Sequence, residues 1–205
     1  MRIAFFGGSF DPPHRGHLAV ASAAARHFEL ASVLFAPTGR QPLKSGTAWA
    51  SYEDRLAMTS LACESDPRFT VSRVDEPRPD GGPNYSVDTL ATLRQRYPAD
   101  QLFNLVGADS FHDLGRWHDP QRLLSIVDWI VVSRPGFDLG EPAGLAVTAA
   151  QKTHIHLLDS VHEDVAATHL RERLAVGDPC DDLLPASVSA YIQQQGLYLG
   201  QYGVR

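Results

Sequence analysis

Short apolar runs along this chain alternate with longer stretches in which apolar residues return every three or four positions. Ile3 to Phe6 is the first such run, closed by Gly7-Gly8, and it has the pattern of a central strand covered on both sides. Gly16 to Phe28 is alanine-rich, with Leu18, Ala21, Ala25 and Phe28 near helical spacing. Val33 to Ala36 reads as the next strand, closed by Pro37, and residues 38–50 as a loop. Ser51 is a hydroxyl cap with Asp54 three residues later, and Leu56, Thr59, Ala62 and Cys63 continue one helical face.

Further along, Phe69 to Val74 reads as a short strand and Pro77 to Asn84 as a turn-rich loop. Ser86 is placed to cap a helix that runs to about Tyr97. Leu102 to Val106 and Trp129 to Ser133 are buried strands, the first ending in Gly107-Ala108-Asp109 and the second in Arg134-Pro135-Gly136. Asp138 to Thr153 has no clear period and reads as a loop or insertion. Ile155 to Leu158 is a last strand, followed by helices over Thr168–Val176 and Pro185–Gln195. Strands and helices in alternation predict an α/β fold: a doubly wound, mostly parallel sheet, helices on both faces, and a short C-terminal helical segment. In such a sheet ligands bind outside the carboxyl ends of the strands, so the loops that follow strands carry the interest.

With 205 residues the chain suits a single domain over 1–205, and 43% apolar with 20% charged residues is an ordinary globular composition. No apolar run reaches the roughly 18 residues of a membrane span. The opening MRIAFFGG lacks the basic start and cleavage pattern of a signal peptide. Cys63 and Cys180 have no metal-type spacing, so a reducing, cytoplasmic setting is expected. A net charge of −6 argues against a broad nucleic-acid surface. A small anion is still compatible, because a few basic groups and a helix N-terminus suffice to hold one.

The loop after the first strand is where such groups collect. Gly7 and Gly8 let a ligand approach the backbone, Pro12 and Pro13 stop the strand, and His14 and His17 are spaced to share one side of a helical first turn. That turn also carries free N–H groups and the positive end of the helix dipole, which suits a phosphate. The same two histidines fit a turn cap plus a packed core residue, or half of a metal site lacking further ligands beyond Asp11.

The string Gly7-Gly8-Ser9-Phe10-Asp11-Pro12-Pro13-His14-Arg15-Gly16-His17 resembles the GxFDPxHxGH motif of the HxGH nucleotidyltransferases, which have a Rossmann-like fold. Within them the chain is similar to the nicotinate-nucleotide adenylyltransferase family on three further segments. Pro83-Asn84-Tyr85-Ser86-Val87-Asp88-Thr89-Leu90 resembles PSYT-x-x-TL, Gly107-Ala108-Asp109-Ser110 with Trp117 resembles GxDS…W, and Leu183-Leu184-Pro185 through Gly196-Leu197-Tyr198 resembles the LLP…YI…GLY tail. The resemblance implies transfer of AMP from ATP to nicotinic acid mononucleotide, giving deamido-NAD and pyrophosphate, with Mg²⁺ carried by the substrate phosphates. It implies that His14, His17 and Arg171 act on the phosphates, with Gly7, Gly8, Ser9, Phe10, Arg134 and Thr168 completing the ATP site. It assigns Lys44, Tyr85, Ser86, Asp109 and Trp117 to the mononucleotide. No protein-borne metal site, nucleic-acid partner or membrane is implied, and a homo-oligomer is compatible.

Two departures stand out. The family's late ISSTxxR reads Val165-Ala166-Ala167-Thr168-His169-Leu170-Arg171, so Ala166 replaces a serine, at a cost on the order of 1 kcal/mol if it capped a helix. The family's PPHK reads Gln41-Pro42-Leu43-Lys44, with Leu43 in place of a histidine. His154, His156 and His162 have a metal-like spacing that alternate strand positions explain equally well. The alternatives are a relative using nicotinamide mononucleotide or phosphopantetheine, or a non-catalytic nucleotide-binding regulator.

Overall fold

The structure, a computed structural model, describes residues 1–43, 48–133, 140–159 and 167–200. Six strands form one sheet: β1 (Arg2–Gly8), β2 (Ser32–Pro37), β3 (Phe69–Val71), β4 (Gln101–Gly107), β5 (Asp128–Val132) and β6 (Ile155–Leu158). Their spatial order is β3-β2-β1-β4-β5-β6, and each pair of neighbours is parallel. The sheet is thus parallel throughout, where a mostly parallel one was expected.

Side chains of a strand alternate between faces, and here both faces are buried. Ile3 and Phe5 join Leu102, Val106, Trp129 and Val131 in one core. Ala4 and Phe6 join Phe103, Leu105 and Ile130 in the other. The first core is closed by Val87, Leu90 and Leu93 of α3 (Ser86–Arg96), and the second by Ala21, Ala24 and Ala25 of α1 (Arg15–His27). A third cluster joins Met58 and Ala62 of α2 (Tyr52–Cys63) to Leu170 and Leu174 of a later helix (Ala167–Ala175), and to Val188 and Ile192 of the last (Ala186–Gln195).

Four short helical pieces complete the described chain: α4 (Ala108–His112), a 3-10 turn (Asp113–Arg116), α5 (Pro120–Ile126) and α6 (Ala149–Lys152). The two late helices are therefore α7 and α8. The pattern missed α4 and α5 because five to seven residues hold fewer than two turns. Asp119-Pro120 did carry the cap-then-proline signal: the Asp119 carboxylate accepts from the Arg122 N–H and Pro120 opens α5. The expected loop at 138–153 contains α6, capped by Thr148. β1 runs through Gly7 and Gly8, which lie opposite Ala36 and Pro37, instead of stopping before them. Ser86 opens α3 and does not cap it; extended Tyr85 holds the cap position. β3 ends at Val71, earlier than expected, since Val74 turns into the α3 core.

Candidate active site

Strands β1 and β4 are neighbours, while the chain crosses from β1 to β2 on one side and from β4 to β5 on the other. This is the topological switch point, and the loops after β1 and β4 flank its crevice. Both motif loops identified from the sequence lie there, Gly7–Pro13 and Gly107–Asp109.

His14 is the N-cap of α1 and His17 lies in its first turn. Their rings stack with centroids 3.6 Å apart. The His14 backbone N–H donates to His17 Nδ1 at 3.2 Å, so neutral His17 carries its proton on Nε2 and presents a donor. Edges of Phe6 and Phe10 box the His17 ring, at 6.0 and 5.0 Å between centroids. Burial lowers the His14 pKa to about 4, so the stacked pair does not set two cations against each other near neutrality. No acidic residue occupies the first turn of α1, which leaves its dipole available to an anion. Gly7 and Gly8 also have reasons within the protein: a Cβ would meet the Phe5 ring at 2.8 Å or the Phe10 ring at 3.3 Å.

Arg171, though remote in sequence, joins this loop. Its Nη1 donates to the Asp11 carbonyl at 2.8 Å and its Nη2 to Thr168 Oγ1 at 3.2 Å, while the guanidinium lies over the Trp49 ring. A guanidinium has five N–H donors; Nη1 and Nη2 each keep one N–H beyond these two bonds, while Nε is buried without a partner among the described residues. Gly7, Gly8, Ser9, Phe10, His14, His17, Thr168 and Arg171 are thus assembled around one turn.

The expected acceptor residues form a second group. Tyr85 stacks on His118 at 4.3 Å, and both Tyr85 and Trp117 pack on the α3-side core. Ser86 follows Tyr85 at the head of α3. Asp109 lies in the first turn of α4 at the carboxyl end of β4; it is exposed, and its carboxylate makes no hydrogen bond or ion pair among the described residues. Lys44, Arg134 and Ala166, as well as His162, fall outside the described residues. Of the other two histidines with metal-like spacing, His154 pairs with Asp128 at 2.6 Å and His156 packs near Phe28 and Phe103.

Three supporting groups escaped the sequence reading. Arg55 is 2% exposed and donates through Nη1 to the Ser9 carbonyl at 2.7 Å. Burial lowers its pKa, and the nearby Asp11 charge opposes that shift. Its signal was present, since Arg55, Thr59 and Ala62 follow one helical face. Asp75, also buried, accepts from Thr89 Oγ1 at 2.7 Å and anchors the start of α3; burial raises its pKa, while Thr89, Thr38 and Asn84 hold it down. The third is the Asp11 carboxylate, which ties the first loop to Trp49, Ala50 and Tyr198. A cavity of about 400 Å³ lies at the opposite end of the sheet, by the amino ends of β4, β5 and β6 near Gln101, Asp128 and His154, and touches none of these groups.

The cytidylyltransferase-like family matches residues 5–173. A probable nicotinate-nucleotide adenylyltransferase of Corynebacterium kroppenstedtii is 39% identical, across 98% of this chain and 94% of that protein. One from Streptomyces coelicolor is 42% identical, across 95% of this chain and 100% of its own length. The chain belongs to the nicotinate-nucleotide adenylyltransferase family. A solved member from Plasmodium falciparum, nicotinic acid mononucleotide adenylyltransferase complexed with APC, shares the fold with a TM-score of 0.73 at 15% identity, over 96% of each chain.

Proposed function

We infer that this protein transfers AMP from ATP to nicotinic acid mononucleotide, releasing pyrophosphate and forming deamido-NAD. The observation that carries this reading is the His14–His17 stack at the head of α1, with Arg171 bonded to the same loop, in a chain of this family. A phosphate oxygen of the mononucleotide attacks the α-phosphorus of ATP in line, the bond to the β-phosphate oxygen breaks, and pyrophosphate leaves. No covalent enzyme intermediate is needed, so the protein's task is positioning and charge stabilisation. The Gly7–Ser9 backbone receives the triphosphate, with Phe10 closing the turn beneath it. His17 Nε2–H and the remaining Arg171 donors face the charge that grows on the phosphates, and His14 and Thr168 hold those two groups.

On the acceptor side, Trp117 offers an indole face to the pyridine ring and the Tyr85-Ser86 start of α3 offers N–H donors to the nicotinate carboxylate. The open oxygens of Asp109 suit a ribose hydroxyl or a magnesium-bound water. Mg²⁺ carried on the triphosphate would supply charge neutralisation for the pyrophosphate, with Asp109 the residue that would hold it through a bound water. Lys44 and Arg134 remain assigned to the mononucleotide and to ATP by the sequence match. The cytoplasm suits the chain, whose Cys63 and Cys180 are unpaired buried thiols.

The test is pyrophosphate release from ATP with nicotinic acid mononucleotide, its amide or phosphopantetheine as acceptor. Release with the nicotinate compound is expected to exceed the others, and no release with any of them overturns the reading. His17→Ala is expected to lower kcat on the order of 100-fold, the scale for losing one donor to developing charge. Full activity in that variant overturns the proposed role of the turn.

A further inference from the structure

The Asp11 carboxylate is 3% exposed and takes three donors from two distant segments. Its Oδ2 accepts from the Trp49 N–H at 2.7 Å, and its Oδ1 accepts from the Ala50 N–H at 3.2 Å and from Tyr198 Oη at 2.7 Å. Its own carbonyl is the acceptor that fixes Arg171. Asp11 is thus bonded on its side chain to the tail and on its backbone to the cation expected at the phosphates, three residues before His14.

Tyr198 comes from the tail beyond α8, is 2% exposed, and holds a backbone φ of +68°. A non-glycine residue in the left-handed region is costly, and it persists where its surroundings over-determine it. Here they do: the buried ring belongs to the cluster of Met58, Leu170, Leu184 and Val188, and the hydroxyl ends on Asp11. Burial, with the Asp11 charge second, raises the Tyr198 pKa far above its ordinary value, so the hydroxyl remains a donor. The segment just before α8 grips the other end of the turn. The Arg15 N–H donates to the Leu183 carbonyl at 2.8 Å, and the Arg15 side chain donates to the carbonyls of Leu184 and Asp181.

We propose that Tyr198 is a positioning residue for adenylyl transfer, whose hydroxyl acts through Asp11 to fix the His14–His17 turn and Arg171 relative to each other. The C-terminal segment is then part of the phosphate site without touching substrate. Loss of the hydroxyl leaves the ring in place, keeps the two backbone donors on Asp11, and frees the loop to shift by a fraction of an ångström. Such a shift affects the reacting phosphates more than the pyridine end. This inference rests on the reading of His14, His17 and Arg171 as phosphate groups.

The experiment compares the parent enzyme with Tyr198→Phe, Arg171→Ala and the double variant, measuring kcat and both KM values on protein shown to be folded by its denaturant transition. Tyr198→Phe is expected to lower kcat on the order of tenfold, with KM for nicotinic acid mononucleotide within about twofold of the parent. In the Arg171→Ala background the same change is expected to cost clearly less, because the shared path through Asp11 is already broken. A kcat for Tyr198→Phe within about twofold of the parent, or losses that add in the double variant, overturns the proposal. A lowered denaturant midpoint with unchanged kcat also overturns it, since that is the mark of packing alone. His17→Ala run alongside separates the two ideas: full activity there removes the underlying reading, whereas a large loss there with a harmless Tyr198→Phe removes only the latch.

Discussion

His14 shows how burial sets the state of a single side chain. The unfolded chain takes up a proton there near pH 6.5, but the folded one only near pH 4. The contribution is level above about pH 6.5, and between there and pH 4 the unfolded state binds more protons, so stability falls as the pH falls. The full penalty is about 3 kcal/mol, reached only at the acid end of that window. His14→Gln removes this proton uptake. The expected outcome, read from urea transitions at pH 7 and pH 5, is a smaller loss of stability on acidification than in the parent. An equal loss in both would show that His14 is not the group responsible. Arg55 lies at the same scale, a buried cation made tolerable by the Ser9 carbonyl and the nearby Asp11 charge.

Among the elements, the segments leading out of β2 and β3 hold each other through backbone groups and the Asn84 side chain. The Gly39 N–H donates to the Asp75 carbonyl at 2.8 Å, the Asn84 N–H to the Arg40 carbonyl at 2.8 Å, and the Arg40 N–H to Asn84 Oδ1 at 2.9 Å. This lattice sets the approach to Tyr85 and α3. A Cβ on Gly39 would stand 2.5 Å from the Pro77 nitrogen and 2.6 Å from its Cα, and backbone atoms do not swing aside. Gly39→Ala is therefore expected to cost about 1–3 kcal/mol of stability by denaturant unfolding. It should also raise KM for the mononucleotide more than KM for ATP. Equal KM changes would detach this lattice from the acceptor side.

At the scale of the whole molecule, two cores cover the sheet and a third joins α2, α7 and α8 behind the phosphate turn. Met58 is fully buried in that third cluster, which also contains Tyr198. Met58→Ala is expected to cost about 2–5 kcal/mol in a denaturant transition, the usual range for truncating a buried long apolar side chain. A cost well under 1 kcal/mol would mean that the layer collapses around the gap, or packs loosely enough not to need it. Arg15, Arg171 and Tyr198 all connect this layer to the first loop, so its integrity bears on the site as well as on stability.

The sequence by itself determined the parallel α/β architecture, because strands buried on both faces leave apolar runs, continuous at Ile3–Phe6 and broken only by Asn104 at Leu102–Val106. It also determined the His14–His17 turn, whose glycines, prolines and paired histidines lie close together along the chain and whose geometry is set by local backbone rules. What lies further apart along the chain was decided only by the tertiary structure. Arg171 reaches the motif loop because α7 joins the cluster shared with α2 and α8, and Tyr198 reaches Asp11 because the chain after α8 turns back into that cluster. Neither meeting leaves a periodic trace. Short helices such as α4 and α5 likewise fall below the length at which a period shows. The opening motif already contains Asp11, but the fold supplies its donors Trp49, Ala50 and Tyr198 and brings Arg55 to the Ser9 carbonyl, since a carbonyl or a buried carboxylate finds its donors only once the layers have packed.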